Sequence, residues 1–136
     1  MRFEDLIANQ PYVQHLGLQL VSNDSSGLIF RLEPEDRFIG NPMLRAFHGG
    51  IICSALECAM SLSVMLANGL NTPPQLINQT TSFLGSASAD KPVVVQAEIT
   101  KPGKRILAAH ARAYQDDIDI LVAKGSVLFR GGTTDA

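Results

Sequence analysis

Residues 48–69 read HGGIICSALECAMSLSVMLANG, a run that is apolar almost from end to end. We predict one helix from about His48 to Asn68, ended by Gly69, because glycine commonly stands just beyond a helix. Such a helix is roughly 30 Å long at 1.5 Å per residue. A helix that is apolar around most of its circumference needs cover on most sides, so the remaining chain is expected to wrap around it.

The stretch from Ile51 to Leu70 also approaches the length that spans a membrane. It carries Glu57 in its first half and three serines, Ser54, Ser61 and Ser63. A membrane helix is the alternative, and we favour a helix that is buried in the protein's own core. Acidic residues near the N-terminus stand where a secretory signal has basic ones, so we expect no targeting segment and a cytoplasmic location.

Beyond residue 74 the hydrophobic pattern changes to a period of two, which indicates β-strands. Strands are predicted at residues 76–84 and 93–100, and two further strands follow. The inward positions of those two are Leu107, Ala109, Ala111, Ala113, Leu121, Ala123, Gly125, Val127 and Phe129. The alanines among them would let the sheet and the helix approach closely.

The chain before the long helix is predicted to be a short helix, a hairpin and an irregular segment. Residues 2–10 form the helix, stopped at Pro11, and residues 16–21 and 28–32 form the hairpin strands. Residues 33–47 are expected to be irregular, because prolines and a glycine break their periodicity. The whole pattern predicts an α+β fold in which an antiparallel β-sheet is wrapped around one long central helix.

Length and composition limit the possible functions. The 136 residues fit one domain, 1–136, with an N-terminal helical segment at 1–15 and a frayed tail at 131–136. Hydrophobic residues make up 46% and charged residues 18%, which excludes general disorder. The net charge of -2 argues against a nucleic-acid groove. Cys53 and Cys58 are too few for a disulfide framework and lack partners for a zinc site, so no metal is expected.

Most of the helix's polar residues share one narrow stripe. At 100° per residue, Gly50, Ser54, Ser61 and Asn68 all lie within about 60° of Glu57, the only charge on the helix. A half-buried carboxylate suits a general base or a nucleophile. Two glycines at the helix start leave backbone N–H groups open to a ligand. Free backbone N–H groups and a carboxylate on one face of a helix are typical of an oxyanion site beside a general base. The simpler alternative is that Glu57 points to solvent and has no catalytic role.

The run from Asn41 to Glu57, NPMLRAFHGGIICSALE, resembles the signature of hotdog-fold acyl-CoA thioesterases of the 4-hydroxybenzoyl-CoA and phenylacetyl-CoA thioesterase type. In that family a His-Gly-Gly opens the central helix, and an Asp or Glu follows nine residues after the histidine, as Glu57 follows His48. A Ser or Thr often stands one turn beyond the acid, where this chain has Ser61. The resemblance extends over about residues 16–130 and implies a hotdog fold.

The resemblance also implies a division of labour among the site residues. Gly49 or Gly50 would donate a backbone N–H to the thioester carbonyl oxygen. Glu57 would activate water, or attack directly to give a mixed anhydride, and Ser61 would help to hold the water. Asn41 would orient water or substrate across the subunit boundary. In many relatives this amide stands six residues before the histidine, whereas Asn41 stands seven before.

Further residues are candidates for holding the substrate. Lys104 and Arg105 belong to a basic cluster that can meet the phosphates of coenzyme A, and Arg45 is a similar candidate beside the site loop. Solvated surface is the alternative for all three. Phe83 is expected to neighbour the acyl group. His48 is a candidate catalytic residue, and the alternative that we favour is that it fixes the loop by hydrogen bonding.

The expected function is hydrolysis of a small aryl- or medium-chain acyl-CoA to the free acid and coenzyme A. Coenzyme A is part of the substrate, so no separate cofactor is expected. A homodimer or homotetramer with the site at the subunit interface is expected, because so small a sheet cannot enclose the helix and leaves edge strands open. The alternatives are a hotdog enoyl- or hydroxyacyl-thioester hydratase and a non-catalytic acyl-CoA-binding module.

Overall fold

The computed structural model describes residues 2–24, 27–101 and 105–131. Two short helices come first, and one long helix stands between two groups of strands. The helices are α1 (Phe3–Ile7), α2 (Pro11–Leu16) and α3 (Gly49–Asn68). The strands are β1 (Gln19–Asp24), β2 (Gly27–Leu32), β3 (Ile39–Asn41), β4 (Ala46–Phe47), β5 (Gln75–Phe83), β6 (Val93–Lys101), β7 (Ile106–Tyr114) and β8 (Ala123–Arg130).

Six of the strands form one antiparallel sheet in the order β1-β2-β6-β7-β8-β5. The helix α3 packs against the inner face of this sheet, mainly on β6, β7 and β8. The prediction of an antiparallel sheet around one long helix, the hotdog architecture, is therefore confirmed. The strand β5 follows α3 directly in the chain and lies at one edge of the sheet, where it borders the start of the helix.

The long helix agrees closely with its prediction. It runs over Gly49–Asn68 and ends at Gly69, whose left-handed backbone (φ 64°) lets its N–H return to the carbonyl of Met65. Its length and its mean hydropathy of 1.8 would also suit a membrane-spanning helix, but the core helices of soluble proteins share these properties. Half of its most apolar 18-residue stretch is buried inside the fold, and the helix lies against the sheet.

Burial confirms the predicted alternation of β7 and of β8 from Ala123 onward, whereas Leu121, predicted as an inward strand position, lies before β8 and is only partly buried. Leu107 and Phe129 are nearly inaccessible, and between them the strands present small side chains to α3. The predicted alanines are among the most deeply buried residues, at 1% exposure or less: Ala109, Ala111, Ala113 and Ala123. A methyl side chain fills little space between two backbones, which allows the close packing of helix and sheet.

The N-terminal predictions were partly wrong. Pro11 does not simply stop a helix: it is the first residue of α2, where a missing N–H costs nothing. The predicted strand from residue 16 begins instead at Gln19, because α2 continues to Leu16 and Gly17 ends it in a left-handed conformation (φ 71°). The irregular segment 33–47 contains a 3₁₀ turn (Asp36–Phe38) and the short antiparallel pair β3–β4. The turn at residues 25–26, residues 102–104 and the tail 132–136 lie outside the described residues.

Candidate functional site

The start of α3 is held by a histidine cap. His48 has an extended backbone, and its ring Nδ1 accepts a hydrogen bond from the N–H of Gly50 at 2.8 Å. The backbone N–H of His48 donates to the carbonyl of Phe38 at 2.8 Å, which ties the helix start to the 3₁₀ turn that precedes β3. Gly40 passes so close that a Cβ there would lie 2.7 Å from the His48 Cα. The position of the helix start is therefore set by the loop that precedes it.

This cap separates the roles of the two glycine amides. The N–H of Gly50 is already used by the His48 ring. The N–H of Gly49 has no acceptor among residues 2–24, 27–101 and 105–131. The aromatic ring of Phe83 stands over Gly49, since a Cβ at that glycine would lie 3.3 Å from the ring. The free donor at the positive end of the helix is thus Gly49, and an aromatic side chain borders it.

The polar stripe of α3 lies on the less buried side of the helix. Gly50 is exposed, and Ser54, Glu57 and Ser61 are half-buried. The opposite side enters the core through Ile52, Ala55, Leu56, Ala59, Met60 and Leu62. Glu57 is therefore reachable from outside the chain, and it lies on the same half-open stripe as the helix start.

Cys58, the neighbour of Glu57, does not act as a nucleophile. Burial of the thiol, together with the nearby Glu57 charge, raises the pKa of Cys58 to about 12. The thiol consequently stays protonated at neutral pH, and only a thiolate is strongly nucleophilic. Cys53 and Cys58 are both free cysteines. In the described part of the chain, no group of three or more His, Cys, Asp or Glu side chains could hold a metal ion.

A second polar cluster, not predicted from the sequence, flanks the stripe on β5. The side-chain amide of Gln79 donates to the Cys53 carbonyl at 3.2 Å and to the Thr81 hydroxyl at 3.1 Å. The Cys53 thiol and the Thr81 hydroxyl are 3.3 Å apart. In an α-helix the Cys53 carbonyl is also the acceptor for the N–H of Glu57, so Gln79 lies beside the turn that carries Glu57.

A signal for this cluster was present in the sequence. The residues Gln79, Thr81 and Phe83 alternate along β5 and face Val127, Gly125 and Ala123 of β8, which are all buried inward positions. Polar side chains on the inward face of a strand are unusual unless they have partners. Two consecutive polar inward residues therefore marked this end of the strand as a wall of the site.

The loop residues proposed from the sequence are engaged locally. The side-chain Oδ1 of Asn41 accepts hydrogen bonds from the backbone N–H groups of Met43 (3.0 Å) and Leu44 (3.3 Å), which closes a turn. Arg45 has a left-handed backbone (φ 48°), and its guanidinium binds the Asp90 carboxylate at 2.8 Å. This hydrogen bond and the opposite charge lower the pKa of Asp90 and raise the pKa of Arg45. In the single chain, both side chains shape the loop.

Of the two basic candidates before β7, Arg105 lies far from the start of α3 within one chain. Lys104 lies outside the described residues. Arg105 is exposed beside the first residue of β7, and its carbonyl accepts from Gly131 at 2.9 Å. Arg105 lies near one end of β8, where Ile106 pairs with Arg130, and Phe83 lies at the other end, where it pairs with Ala123. At 3.3 Å per residue, Arg105 and Phe83 are about 25 Å apart along the strand. A role for Arg105 in binding would need a neighbouring copy of the chain.

We expect the His48 cap to be structural. His48→Ala should lower the free energy of unfolding by about 1 kcal/mol, the usual value of a helix cap, because the Gly50 N–H loses its acceptor. The maximal hydrolysis rate should fall less than tenfold. His48→Asn, which can still cap, should restore most of the stability in a urea titration. A fall in rate of more than a hundredfold in His48→Ala, at unchanged stability, would instead make the imidazole a catalytic group.

Comparison with protein families relates this geometry to known proteins. A family model described as the acyl-CoA thioesterase N-terminal domain matches residues 40–130. That range includes the loop, the helix start, the polar stripe and all of β5 to β8. A search of the curated proteins finds no significant match to the sequence.

Solved structures of the same shape come from bacteria and a vertebrate. A conserved protein from Pseudomonas aeruginosa has 26% sequence identity and a TM-score of 0.79, covering 96% of this chain and 98% of that chain. A phenylacetic acid degradation-related protein from Ralstonia eutropha has 20% identity and a TM-score of 0.78, covering 89% of each chain. Zebra fish thioesterase superfamily member 2 has 14% identity and a TM-score of 0.78, covering 94% of this chain and 91% of that chain.

Proposed function

This chain belongs to the acyl-CoA thioesterase N-terminal domain family and is a thioester hydrolase, and we propose that it hydrolyses a small aryl- or medium-chain acyl-CoA along the polar stripe of α3. The observation that carries the proposal is the free Gly49 N–H at the start of the same half-open stripe that bears Glu57. A donor for the carbonyl oxygen and a carboxylate for water are the two groups that acyl transfer to water needs. Coenzyme A enters only as part of the substrate.

In the proposed mechanism the thioester carbonyl lies at the start of α3. The Gly49 N–H donates to the carbonyl oxygen, where negative charge develops, and the helix dipole favours that charge. Glu57 takes a proton from water, whose oxygen attacks the carbonyl carbon, and the C–S bond then breaks. The proton ends on the leaving thiolate, so the products are a carboxylic acid and coenzyme A.

A second route uses the same residues. The Glu57 carboxylate can attack the carbonyl carbon directly and release the thiolate, which leaves a mixed anhydride for water to hydrolyse. Ser61, one turn further along the stripe, can hold the water in either route. Gln79 and Thr81 would form the polar wall beside Glu57, and Phe83 would contact the acyl group next to the thioester.

We further propose that the site is completed by a second copy of the chain joined through β5. This strand is nine residues long, lies at the sheet edge and contains no charged residue, so its open backbone groups are a template for pairing. Large apolar side chains are exposed on or beside it: Leu76, Ile77, Phe83 and Leu84. A partner there would cover the open side of the stripe and bring a second Asn41 loop or Arg105 towards the substrate.

Sedimentation velocity tests this assembly. The protein should be a dimer or tetramer at micromolar concentration, and Ile77→Lys should shift it to monomer with at least a tenfold loss of activity, because a lysine on an edge strand opposes pairing. Ile120→Lys is the matched control, since Ile120 is 70% exposed and lies between β7 and β8, outside any strand. A wild-type monomer that is stable and fully active would contradict the proposal.

The substrate class is tested by thiol release from a panel of acyl-CoAs. Benzoyl-, phenylacetyl- and hexanoyl-CoA should release thiol at least tenfold faster than palmitoyl-CoA, as judged by kcat/KM. Crotonyl-CoA distinguishes a hydratase, which would consume the double bond without releasing thiol. Binding without either reaction would indicate a non-catalytic acyl-CoA-binding module. Either of these last two results would overturn the proposed function.

A further inference from the structure

A groove opens on the outer face of the sheet, on the side away from α3. It encloses a cavity of about 290 Å³ between β5, β7 and β8. The residues that line it are Thr80, Ser82, His110, Ala111, Arg112, Lys124, Gly125 and Ser126, and we call them the outer-face groove. The strand alternation that buries Leu107 and Ala109 against the helix turns His110 and Arg112 towards this groove.

The groove brings two cations together on neighbouring strands. Arg112 on β7 pairs directly with Lys124 on β8 in the strand register. Like charges at directly opposed positions of an antiparallel pair repel each other. Among the residues that the structure describes, neither cation has an ion-pair partner. The Glu98 carboxylate does not line the groove; it contacts the His110 Nε2 at 2.9 Å.

Arg112 also has an unused hydrogen-bond donor. Its Nε is buried, and it has no hydrogen-bond partner among the described residues, where it is the only buried side-chain nitrogen or oxygen in that state. Buried donors are nearly always paired in folded proteins, so an orphaned one calls for an explanation. An oxyanion bound side-on by the guanidinium would offer it an acceptor after a small rotation of the side chain.

Hydroxyl groups surround the two cations. Ser82 on β5 pairs with Lys124 on β8, and Thr80 on β5 pairs with Ser126 on β8, so these two strands deliver three hydroxyls to the same groove. Hydroxyls donate hydrogen bonds readily to phosphate oxygens, and arginine and lysine supply the charge. This set of groups is rich in donors and poor in anionic acceptors, which is the chemistry of a receptor for a small oxyanion.

We propose that the outer-face groove binds a phosphate group through Arg112 and Lys124. The sheet separates this groove from the stripe of Glu57, so the site is distinct from the one where thioester hydrolysis is proposed. The phosphate can belong to free inorganic phosphate or to a phosphorylated ligand of the coenzyme A type. Both sources present the same oxygens, and a titration with each of them tells the two apart.

Isothermal titration calorimetry at constant ionic strength tests the proposal, with inorganic phosphate as the probe and sodium chloride as the reference. Wild-type protein should bind phosphate saturably, and Arg112→Gln and Lys124→Gln should each weaken binding at least tenfold. Arg130→Gln is the matched control, because Arg130 lies on the same face of β8 at the far end of the strand and outside the groove. It should bind phosphate as wild type does.

Thermal melting is a second measurement, which detects variants that have lost stability. Without ligand, Lys124→Gln should melt no lower than wild type, because it removes a like-charge pair, and phosphate should raise the melting temperature of wild type but not of this variant. Coenzyme A binding to wild type at least tenfold more tightly than phosphate, with that gain lost both in 3′-dephospho-coenzyme A and in the Arg112→Gln variant, identifies a phosphorylated cofactor as the ligand of the groove. If coenzyme A binds no more tightly than inorganic phosphate, the ligand is the free anion. No saturable binding to wild type, or equal weakening in Arg130→Gln, would overturn the proposal.

Discussion

Glu57→Gln should lower the rate constant for thioester hydrolysis by roughly 10²–10⁴, the usual scale for loss of a general base. The amide keeps the shape of the side chain and removes its charge, so it can neither accept a proton from water nor attack the carbonyl. Substrate binding should change little, because the Gly49 N–H and the acyl pocket remain. Stability in urea should stay level or rise, since a half-buried carboxylate costs more to desolvate than an amide.

Three further variants make this result specific to Glu57. Glu33→Gln removes a carboxylate that is bonded to Arg31 on the surface, and it should leave the rate unchanged. Glu57→Asp should lose less activity than Glu57→Gln, because a carboxylate is still present. Ser61→Ala should be milder than either. If Glu57→Gln unfolds the protein while its folded fraction hydrolyses thioesters at the normal rate, Glu57 is structural and the mechanism is wrong.

Gly40→Ala should lower both stability and activity, although Gly40 is not proposed to touch the substrate. A Cβ at residue 40 would lie 2.7 Å from the His48 Cα and 2.9 Å from its Cβ. Neither atom can rotate away, so β3 and the start of α3 must separate. We expect a loss of about 1–3 kcal/mol in the free energy of unfolding, the usual cost of overpacking. Displacement of the Gly49 N–H should reduce kcat at least tenfold, because small errors in position are costly in catalysis.

Gly85→Ala is the control for Gly40→Ala. The nearest atom to a Cβ at Gly85 is the Leu121 carbonyl oxygen at 3.9 Å, an ordinary contact, and the residue follows β5 without being part of it. The unfolding midpoint and kcat of the Gly85→Ala variant should match those of wild type within error. Equal behaviour of the two alanine variants would show that the β3 contact does not hold the helix start in place.

The regular elements could be predicted because their residues repeat with the period of their own structure. The burial of Leu107 to Ala113 follows a period of two, and Gly69 marks the end of the helix chemically, so local sequence is sufficient. The errors lie where tertiary contacts outweigh local pattern. Pro11 can either stop a helix or begin one, and its neighbours in sequence do not distinguish these cases.

Only the part of the site that lies on α3 could be predicted from the sequence. Spacing along α3 was enough to associate the helix start with Glu57, because a helix fixes the relative direction of its side chains. The capture of the Gly50 N–H by the His48 ring depends on a side-chain rotamer, and the contact of Gln79 with Cys53 joins residues 26 positions apart. The sequence indicates a hydrogen-bonding histidine at the helix start and inward-facing polar residues on β5, but the atoms that they contact are visible only in the folded chain.

A crystal structure of the Glu57→Gln variant with a bound acyl-CoA substrate tests the central claim most directly, because the slowed variant should hold the thioester intact. The claim predicts that the carbonyl oxygen lies about 2.7–3.1 Å from the Gly49 nitrogen, with the residue 57 side chain facing the carbonyl carbon. The acyl group should contact Phe83. A thioester bound elsewhere, with Gly49 and residue 57 both free of contact, would contradict the account.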